Sequence, residues 1–443
     1  MVWILTNGRV IDPASGRDEI ADVWIDGGVV SEIGSREVPR DIPRIDCSGH
    51  IVAPGFIDLH VHLREPGRED EETIESGTRA AVRGGFTAVA CMPNTDPAID
   101  GEAEVQYVLE RAKAEGLCRV LPVAAITRGR EGQALCDLGG LVDAGAVAFS
   151  DDGCSLENAD LMRRALEYSR MLGVPLAVHC EDARLAGGGV MNEGTVSALL
   201  GLKGCPAEAE ITRVSREILL AELTRARLHI QHVSTARAMA LIVEAKQRGL
   251  GVTAEVTPHH LVLTERDVGD FDTRMKVNPP LRTEMDRDTL REGLASGAID
   301  AVATDHAPHA HEEKEVEFDE AAFGMVGLET AVGLVLTELV HPGILDLADA
   351  VHRFTLGPAR AFGLELGRLE PGGPADITVV DLDRIWTVDP GDFESRSKNT
   401  PFAGRVLRGR AVGTVVNGHV AMWNGEVGRI GEEVRCLPSG NAC

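Results

Sequence analysis

The sequence predicts an α/β fold: a (β/α)8 TIM-like barrel carrying a small β-sandwich domain built from both chain termini. Eight short apolar runs alternate with helix-patterned segments across residues 54–354. Residues 1–53 and 355–443 read differently, largely as short strands joined by Gly, Asp and Asn turns. Neither terminal piece is long enough to bury a good core alone, so the two are expected to pair.

The N-terminal strand candidates are Val2–Leu5, Val10–Ile11, Ala21–Ile25 and Val29–Ile33, with Asp26-Gly27-Gly28 as a hairpin turn. The barrel candidates follow as Gly55–His62, Ala88–Met92, Val120–Ala125, Ala146–Ser150, Leu176–His179, Leu228–His232, Thr253–Val256 and Ala301–Thr304. Between them lie helix-patterned segments such as Glu102–Gly116, Ala159–Leu172 and Ala236–Gly249. This alternation fits a closed barrel better than an open doubly wound sheet. Strand patterning resumes at Ile377–Asp381, Val406–Arg408, Ala411–Val416 and Val420–Trp423, with Asn417-Gly418 as the last turn.

Composition narrows the function. The chain has 70 acidic and 44 basic residues, a formal charge of −26. A broad nucleic-acid surface needs the opposite sign. Nine cysteines are scattered with no C-x-x-C pair, which fits neither a disulfide framework nor a Cys-type zinc site. The start lacks a basic segment before its short apolar run, and no apolar stretch reaches the ~18 residues of a membrane span. A cytoplasmic protein with reduced thiols and no membrane or nucleic-acid partner is expected.

In a barrel of this kind chemistry sits at the C-terminal strand ends. Strand 1 ends Asp58-Leu59-His60-Val61-His62-Leu63-Arg64, and alternation puts His60 and His62 on one face. Strand 2 ends at Asn94, strand 4 runs into Asp151-Asp152-Gly153, strands 5 and 6 end at His179 and His232, and strand 8 at Asp305. Four histidines and two carboxylates therefore meet one rim, a set suited to a borderline metal such as zinc. A lone His-x-His, or His179 alone, is more often structural; five strands delivering ligands together are not explained that way. Asp58 shares the face of the histidines and suits an orienting role. Asp151 and Asp152 stay open at this point, since alternation does not separate neighbours in a bending loop. The structural alternative for Asp151 is a turn or helix-capping role before Gly153.

Asp58-Leu59-His60-Val61-His62-Leu63-Arg64-Glu65-Pro66-Gly67 resembles the signature of dihydroorotases, a family of metal-dependent amidohydrolases. Met92-Pro93-Asn94-Thr95, Phe149-Ser150-Asp151-Asp152-Gly153, Lys276-Val277-Asn278-Pro279-Pro280 and Thr304-Asp305-His306-Ala307-Pro308-His309 are similar to its other motifs. Hydantoinases, dihydropyrimidinases and allantoinases share the His-x-His; the Arg64 extension with Thr304–His309 is more specific. Many amidohydrolases bridge two metals through a carboxylated lysine on strand 4. Here the nearest of the six lysines are Lys113 and Lys203. The resemblance implies that Asp152 takes that role.

It further implies two zinc ions per subunit, one held by His60, His62, Asp152 and Asp305 and the other by Asp152, His179 and His232. Asp305 would also take the proton of the attacking nucleophile and pass it to the leaving nitrogen. Arg64, Asn94 and His309 would hold the substrate carboxylate, Asn278 the ring, and Phe323 and Gly324 would contribute backbone. The null for Arg64 is a salt bridge to Glu65 or Glu69; for Asn278 it is a turn. His259 and His260 are left out of the site. The implied reaction is the reversible opening of dihydroorotate to N-carbamoyl-L-aspartate in pyrimidine (UMP) synthesis. A homodimer is implied, and a complex with aspartate transcarbamoylase is compatible with the resemblance. The alternatives are a hydantoinase- or allantoinase-type cyclic amidase, or a non-catalytic scaffold for the transcarbamoylase. The acidic stretch His309–Phe323 after strand 8 is either a lid or a solvated loop.

Overall fold

A computed structural model describes residues 2–34 and 42–430; Met1, residues 35–41 and residues 431–443, with Cys436 and Cys443, lie outside the described residues. Eight parallel strands hydrogen-bond in chain order: Phe56–Val61, Phe86–Cys91, Arg119–Ala124, Ala148–Phe149, Leu176–Val178, Leu228–Ile230, Val252–Val256 and Ala301–Val302. These are barrel strands 1 to 8. Strands 1 and 8 close the ring beyond their ends, where the His62 N–H donates to His306 O (2.9 Å).

All eight predicted strands are present, but several stop short of their polar residues. The backbone turns there: His232 has φ 32° and Asp305 φ 48°, outside the extended range. Helices connect the strands, for example Ile74–Gly84, Glu102–Glu115, Ala159–Leu172, Glu208–Thr224 and Ala236–Gln247. Helix Ile74–Gly84 shows why such segments are helical. Thr73 and Ser76 form a capping box at its start, Ile74, Ala81 and Val82 face the core, and Gly85 ends it with φ 97°.

Phe56, Phe86 and Phe354 pack at the N-terminal ends of strands 1 and 2, with Phe56 and Phe354 stacked at 5.1 Å. A further buried cluster joins Leu59, Ala88, Ala90, Met92, Ala148, Ala177 and Ala303 to Phe362. The apolar packing thus supports one end of the barrel and leaves the other for polar groups.

Met191–Asn192 and Gly204–Cys205 pair as a small separate sheet, and the other strands form one nine-stranded sheet from both chain ends. Its order is Glu426–Ile430, His419–Trp423, Val406–Val416, Ile377–Thr387, Ile51–Pro54, Val2–Asp12, Arg17–Asp26, Val29–Ile33, with Arg44–Asp46 beside Val2–Asp12. Ile51–Pro54 joins the halves, pairing antiparallel with Ile377–Val380. The sheet folds over a shared core that includes Trp3, Val23 and Ile25 from one end and Ile377, Val379 and Trp423 from the other. Trp3 Nε1 donates across it to Gly418 O (3.0 Å). The segments expected as Val2–Leu5 and Val10–Ile11 are one strand, interrupted by a bulge where Asn7 has φ 60°. Both predicted hairpins are present, with Gly27, Gly28, Asn417 and Gly418 all at positive φ.

Candidate metal centre and anion pocket

The six residues expected as ligands converge at the C-terminal end of the barrel. Asp152 Oδ1 lies 3.3 Å from His60 Nε2, 3.7 Å from His232 Nε2 and 3.9 Å from His179 Nδ1, and its Oδ2 lies 3.6 Å from His62 Nε2. Asp305 Oδ1 is 3.0 Å from His62 Nε2 and 3.5 Å from His60 Nε2. His179 Nδ1 and His232 Nε2 are 2.9 Å apart. All six are buried.

The neighbouring aspartates separate here. Asp151 accepts from the Ile126 and Thr127 N–H groups and from Thr127 Oγ1 (2.9, 3.1 and 2.6 Å), so it anchors the loop after strand 3. Asp152 alone of the pair faces the four histidines. Asp58 accepts from the His60 and Thr304 N–H groups and ties strand 1 to strand 8 beneath the site. Burial pushes its carboxyl up to about 7 against those hydrogen bonds.

The electrostatics are mutual. Burial works against a charged His60, but Asp152, Asp305 and Glu255 outweigh it and raise its proton affinity well above that of a free histidine. Burial likewise opposes ionisation of Asp152 and Asp305, yet the surrounding histidines hold both well below the usual carboxylate range. Burial, aided by the charge of His232, pushes His179 down to about 3, which leaves its lone pairs free.

A divalent cation fits this donor set. His60 Nε2 and Asp152 Oδ1, 3.3 Å apart inside the cluster, are buried without a hydrogen-bond partner. Polar atoms rarely stay so unless something else engages them. Two groups of three donors, His60 with His62 and Asp305 and His60 with Asp152 and His232, each lie within 4.8 Å of one another. Neighbouring ligands on a tetrahedral zinc are about 3.3–3.6 Å apart, close to the spacings above.

Residues that the sequence reading passed over support the cluster. Glu255, in the middle of strand 7, sits with Oε1 2.7 Å from His60 Nδ1 and Oε2 3.0 Å from His229 Nε2. Although burial opposes it, His60 and His229 pull its carboxyl down to about 2. His229 Nδ1 continues to Thr253 Oγ1 (2.8 Å), so a buried chain runs beneath the site. Gln231 bridges Ser150 and His60. The signal available for Glu255 was a carboxylate inside the otherwise strand-like run Val252–Val256. Of the two histidines left out, His260 is held by Thr257 and Pro279 O. His259 Nε2 is buried without a partner; burial pushes this histidine down to about 4, and the charges of Asp305, His232 and His60 reach it.

The expected substrate-binding residues ring the centre. Asn94 Oδ1 faces His62 Nδ1 at 2.8 Å. Arg64 is held at φ 60°, a conformation non-glycine residues keep only where their surroundings enforce it. It pairs with neither Glu65 nor Glu69. Its Nε–H points at Pro308 O (3.1 Å), and Glu71 Oε2 lies 2.8 Å from Nε as a charge partner off that direction. Arg64 Nη2 lies 3.4 Å from His309 Nε2. Asn278 stands by Glu181, whose carboxyl is raised by burial with Asn278 opposing. Phe323 O faces His309 Nε2 (2.8 Å), while the Gly324 N–H is donated to Lys276 O (2.8 Å). Gly324 has φ 136°, and a Cβ there would lie 2.6 Å from Ala307 Cβ. The loop from His309 to Phe323 carries a short helix, His311–Lys314. Lys276 and Lys314 hold it by donating to Asp319 O and Ala322 O (2.8 and 2.6 Å).

A family model described as Dihydro-orotase-like matches residues 49–238, and one described as Amidohydrolase family matches residues 224–422. The chain is 54% identical to the dihydroorotase of Pelotomaculum thermopropionicum over 422 residues, 95% of this chain and 99% of that one. It is 51% identical to the dihydroorotase of Syntrophotalea carbinolica over 420 residues, with 95% and 99% covered. Among solved structures it is similar to the L-hydantoinase (dihydropyrimidinase) of Arthrobacter aurescens, with TM-score 0.87, 28% identity, and 96% and 97% of the two chains covered. It is also similar to the D-hydantoinase (dihydropyrimidinase) of Thermus sp., with TM-score 0.83, 26% identity, and 98% and 97% covered.

Proposed function

The chain belongs to the dihydroorotase family of metal-dependent amidohydrolases, and from that premise we propose that it reversibly hydrolyses the ring amide of (S)-dihydroorotate to N-carbamoyl-L-aspartate, a step of de novo pyrimidine synthesis. One observation carries the reading: a largely buried arginine and a histidine stand together, Arg64 Nη2 3.4 Å from His309 Nε2, on the rim that holds the histidine–aspartate centre. A cyclic amide bearing a carboxylate needs both parts.

His60, His62, Asp152, His179, His232 and Asp305 would hold the metal, which we take to be zinc, two ions per subunit. When bound, such a metal lowers the pKa of water and polarises the amide carbonyl. Asp305, kept ionised by its histidine neighbours, accepts a proton from the attacking water. The new C–O bond forms as the ring C–N bond breaks, and Asp305 returns the proton to the leaving nitrogen. Asn94 orients His62 through Nδ1 and lies beside the carboxylate site. The Nη edge of Arg64 and the ring of His309 take the substrate carboxylate as charge-assisted hydrogen-bond donors. Asn278 faces the ring, and the backbone at Phe323 and Gly324 closes the wall.

The decisive assay is dihydroorotate hydrolysis by purified protein of measured metal content; absence of turnover in metal-replete protein would sink the proposal. A second reading, an amidase of uncharged cyclic ureides, draws on the likeness to hydantoinase structures. Fast turnover of hydantoin or allantoin with none of dihydroorotate would favour it. The scaffold reading predicts missing ligands, whereas all six are in place at one site.

We carry the domain limits as residues 54–354 for the barrel and 1–53 with 355–443 for the sandwich. No helix among the described residues is long and apolar enough to cross a membrane. The cytoplasmic location is proposed from the likeness to dihydroorotases. Homodimerisation and association with aspartate transcarbamoylase are tested by gel filtration, alone and mixed.

A further inference from the structure

Glu71 is buried to 1% exposure just outside the metal cluster. It is one of four consecutive acids, Glu69 to Glu72, and nothing in its spacing marks it out. Its carboxylate nevertheless touches both side chains of the anion pocket. Oε2 lies 2.8 Å from Arg64 Nε, and Oε1 lies 3.3 Å from His309 Nδ1 and 2.6 Å from Arg68 Nη2. Glu313, from the short helix His311–Lys314, completes the group at 2.7 Å from Arg68 Nη2 and 3.1 Å from His309 Nδ1.

We propose that Glu71 is the positioning residue of the anion pocket, holding Arg64 and His309 in register so that one substrate carboxylate meets both. This rests on the reading of those two residues as carboxylate ligands. Glu71 and Pro308 O occupy the Nε side of Arg64, so the guanidinium can present only its Nη edge to a ligand. Asp305 and Glu313 also act on Arg64. Without Glu71 the guanidinium is free to swing toward either, and Asp305 is the group that moves the proton. On His309, Glu71 and Glu313 engage Nδ1, which turns Nε2 toward Phe323 O (2.8 Å) and Arg64 Nη2 (3.4 Å), the edge a substrate carboxylate would share. Ser397 Oγ lies 2.8 Å from both Glu71 O and His309 O, so the two backbones are tied as well.

Steady-state kinetics on the metal-replete full chain tests this with Glu71→Gln, Glu71→Asp, Arg64→Met and the Arg64→Met/Glu71→Gln double variant. For Glu71→Gln the expected result is a KM about tenfold higher for both dihydroorotate and N-carbamoyl-L-aspartate, the scale of one charge-assisted hydrogen bond. kcat and metal content stay within about twofold. Glu71→Asp, which keeps the charge, recovers part of the loss and serves as the readout should Glu71→Gln fail to fold. In the Arg64→Met background the further effect of Glu71→Gln on KM shrinks to about threefold or less, because only His309 is left for it to position. A fall in KM would mean that Glu71 competes with the substrate, and equal effects in both backgrounds would mean that it acts independently; either overturns the proposal. If Arg64→Met itself leaves KM unchanged, the carboxylate-pocket reading fails first and takes this inference with it.

Discussion

Replacing Glu255 by glutamine alters one atom and removes one charge from a residue with no solvent exposure. The glutamine retains an oxygen for His60 Nδ1 and places an NH2 toward His229 Nε2, which can accept by changing tautomer because Thr253 Oγ1 donates or accepts. The shape of the site is therefore kept, and what goes is the charge that makes the 2.7 Å contact to His60 strong. A hydrogen bond to a charged group contributes ~1.5–3 kcal/mol. Only one of the two contacts reaches a ligand, so one such increment is expected in metal binding. That corresponds to ~10–100-fold weaker affinity, the range seen when partners behind metal ligands are removed. The assay is competition between metal-stripped enzyme and a chromogenic chelator for zinc, with thermal unfolding as a control for misfolding. Turnover at saturating zinc should recover to within about tenfold of the parent. A zinc Kd within twofold of the parent, in folded protein, would refute the idea that Glu255 sets the basicity and orientation of His60.

Four further outcomes are expected. Asp305→Asn should abolish turnover in both directions while circular dichroism shows an intact barrel; residual activity near the parent level would exclude it as the proton carrier. Arg64→Met should raise KM for dihydroorotate by ~10–100-fold, from loss of a paired charge-assisted contact, while leaving the protein folded. Gly85→Ala adds a Cβ 2.8 Å from Ala411 Cβ at φ 97°, and should cost ~1–3 kcal/mol in unfolding free energy measured by urea denaturation. Burial first, then the neighbouring charge of Lys276, lowers Lys314 from 10.5 to about 7, with Asp272 and Glu313 opposing. The unfolded chain therefore binds the extra proton between those values. The stability of the parent relative to Lys314→Met should rise as pH increases from about 7 to about 10.5, and a gap that is flat with pH would contradict it.

Much of this architecture was legible because it rests on local pattern. Apolar runs of barrel-strand length betrayed all eight strands, and the histidines and aspartates at their ends betrayed the rim. Strand Ile51–Pro54 escaped notice because its pairing partner, Ile377–Val380, lies more than 300 residues away and its own sequence runs straight into strand 1. Alternation did not separate Asp151 from Asp152, and the resemblance alone favoured Asp152; the Ile126 and Thr127 amides claim Asp151. Glu71 and Glu255 were hidden for opposite reasons. One sits in a run of acids that reads as solvated surface, and the other in a strand whose chemistry is set by residues on its neighbours. Arg64 was found by its spacing, yet its charge partner is seven residues on rather than adjacent.

The sheet built from both chain ends has a consequence for how the enzyme can come into being. Ile51–Pro54 is followed at once by the strand bearing His60 and His62, and its backbone partners belong to Ile377–Val380. During synthesis the barrel segment is complete in length before that partner emerges. The root of strand 1 thus stays half-paired until late in translation, and contacts this distant in sequence form slowly. A chain cut between residues 354 and 377 would keep every proposed ligand and still lack the clamp at the base of the strand that carries two of them. Loss of metal retention in such truncations would register the clamp directly, as an assembly checkpoint rather than a catalytic defect.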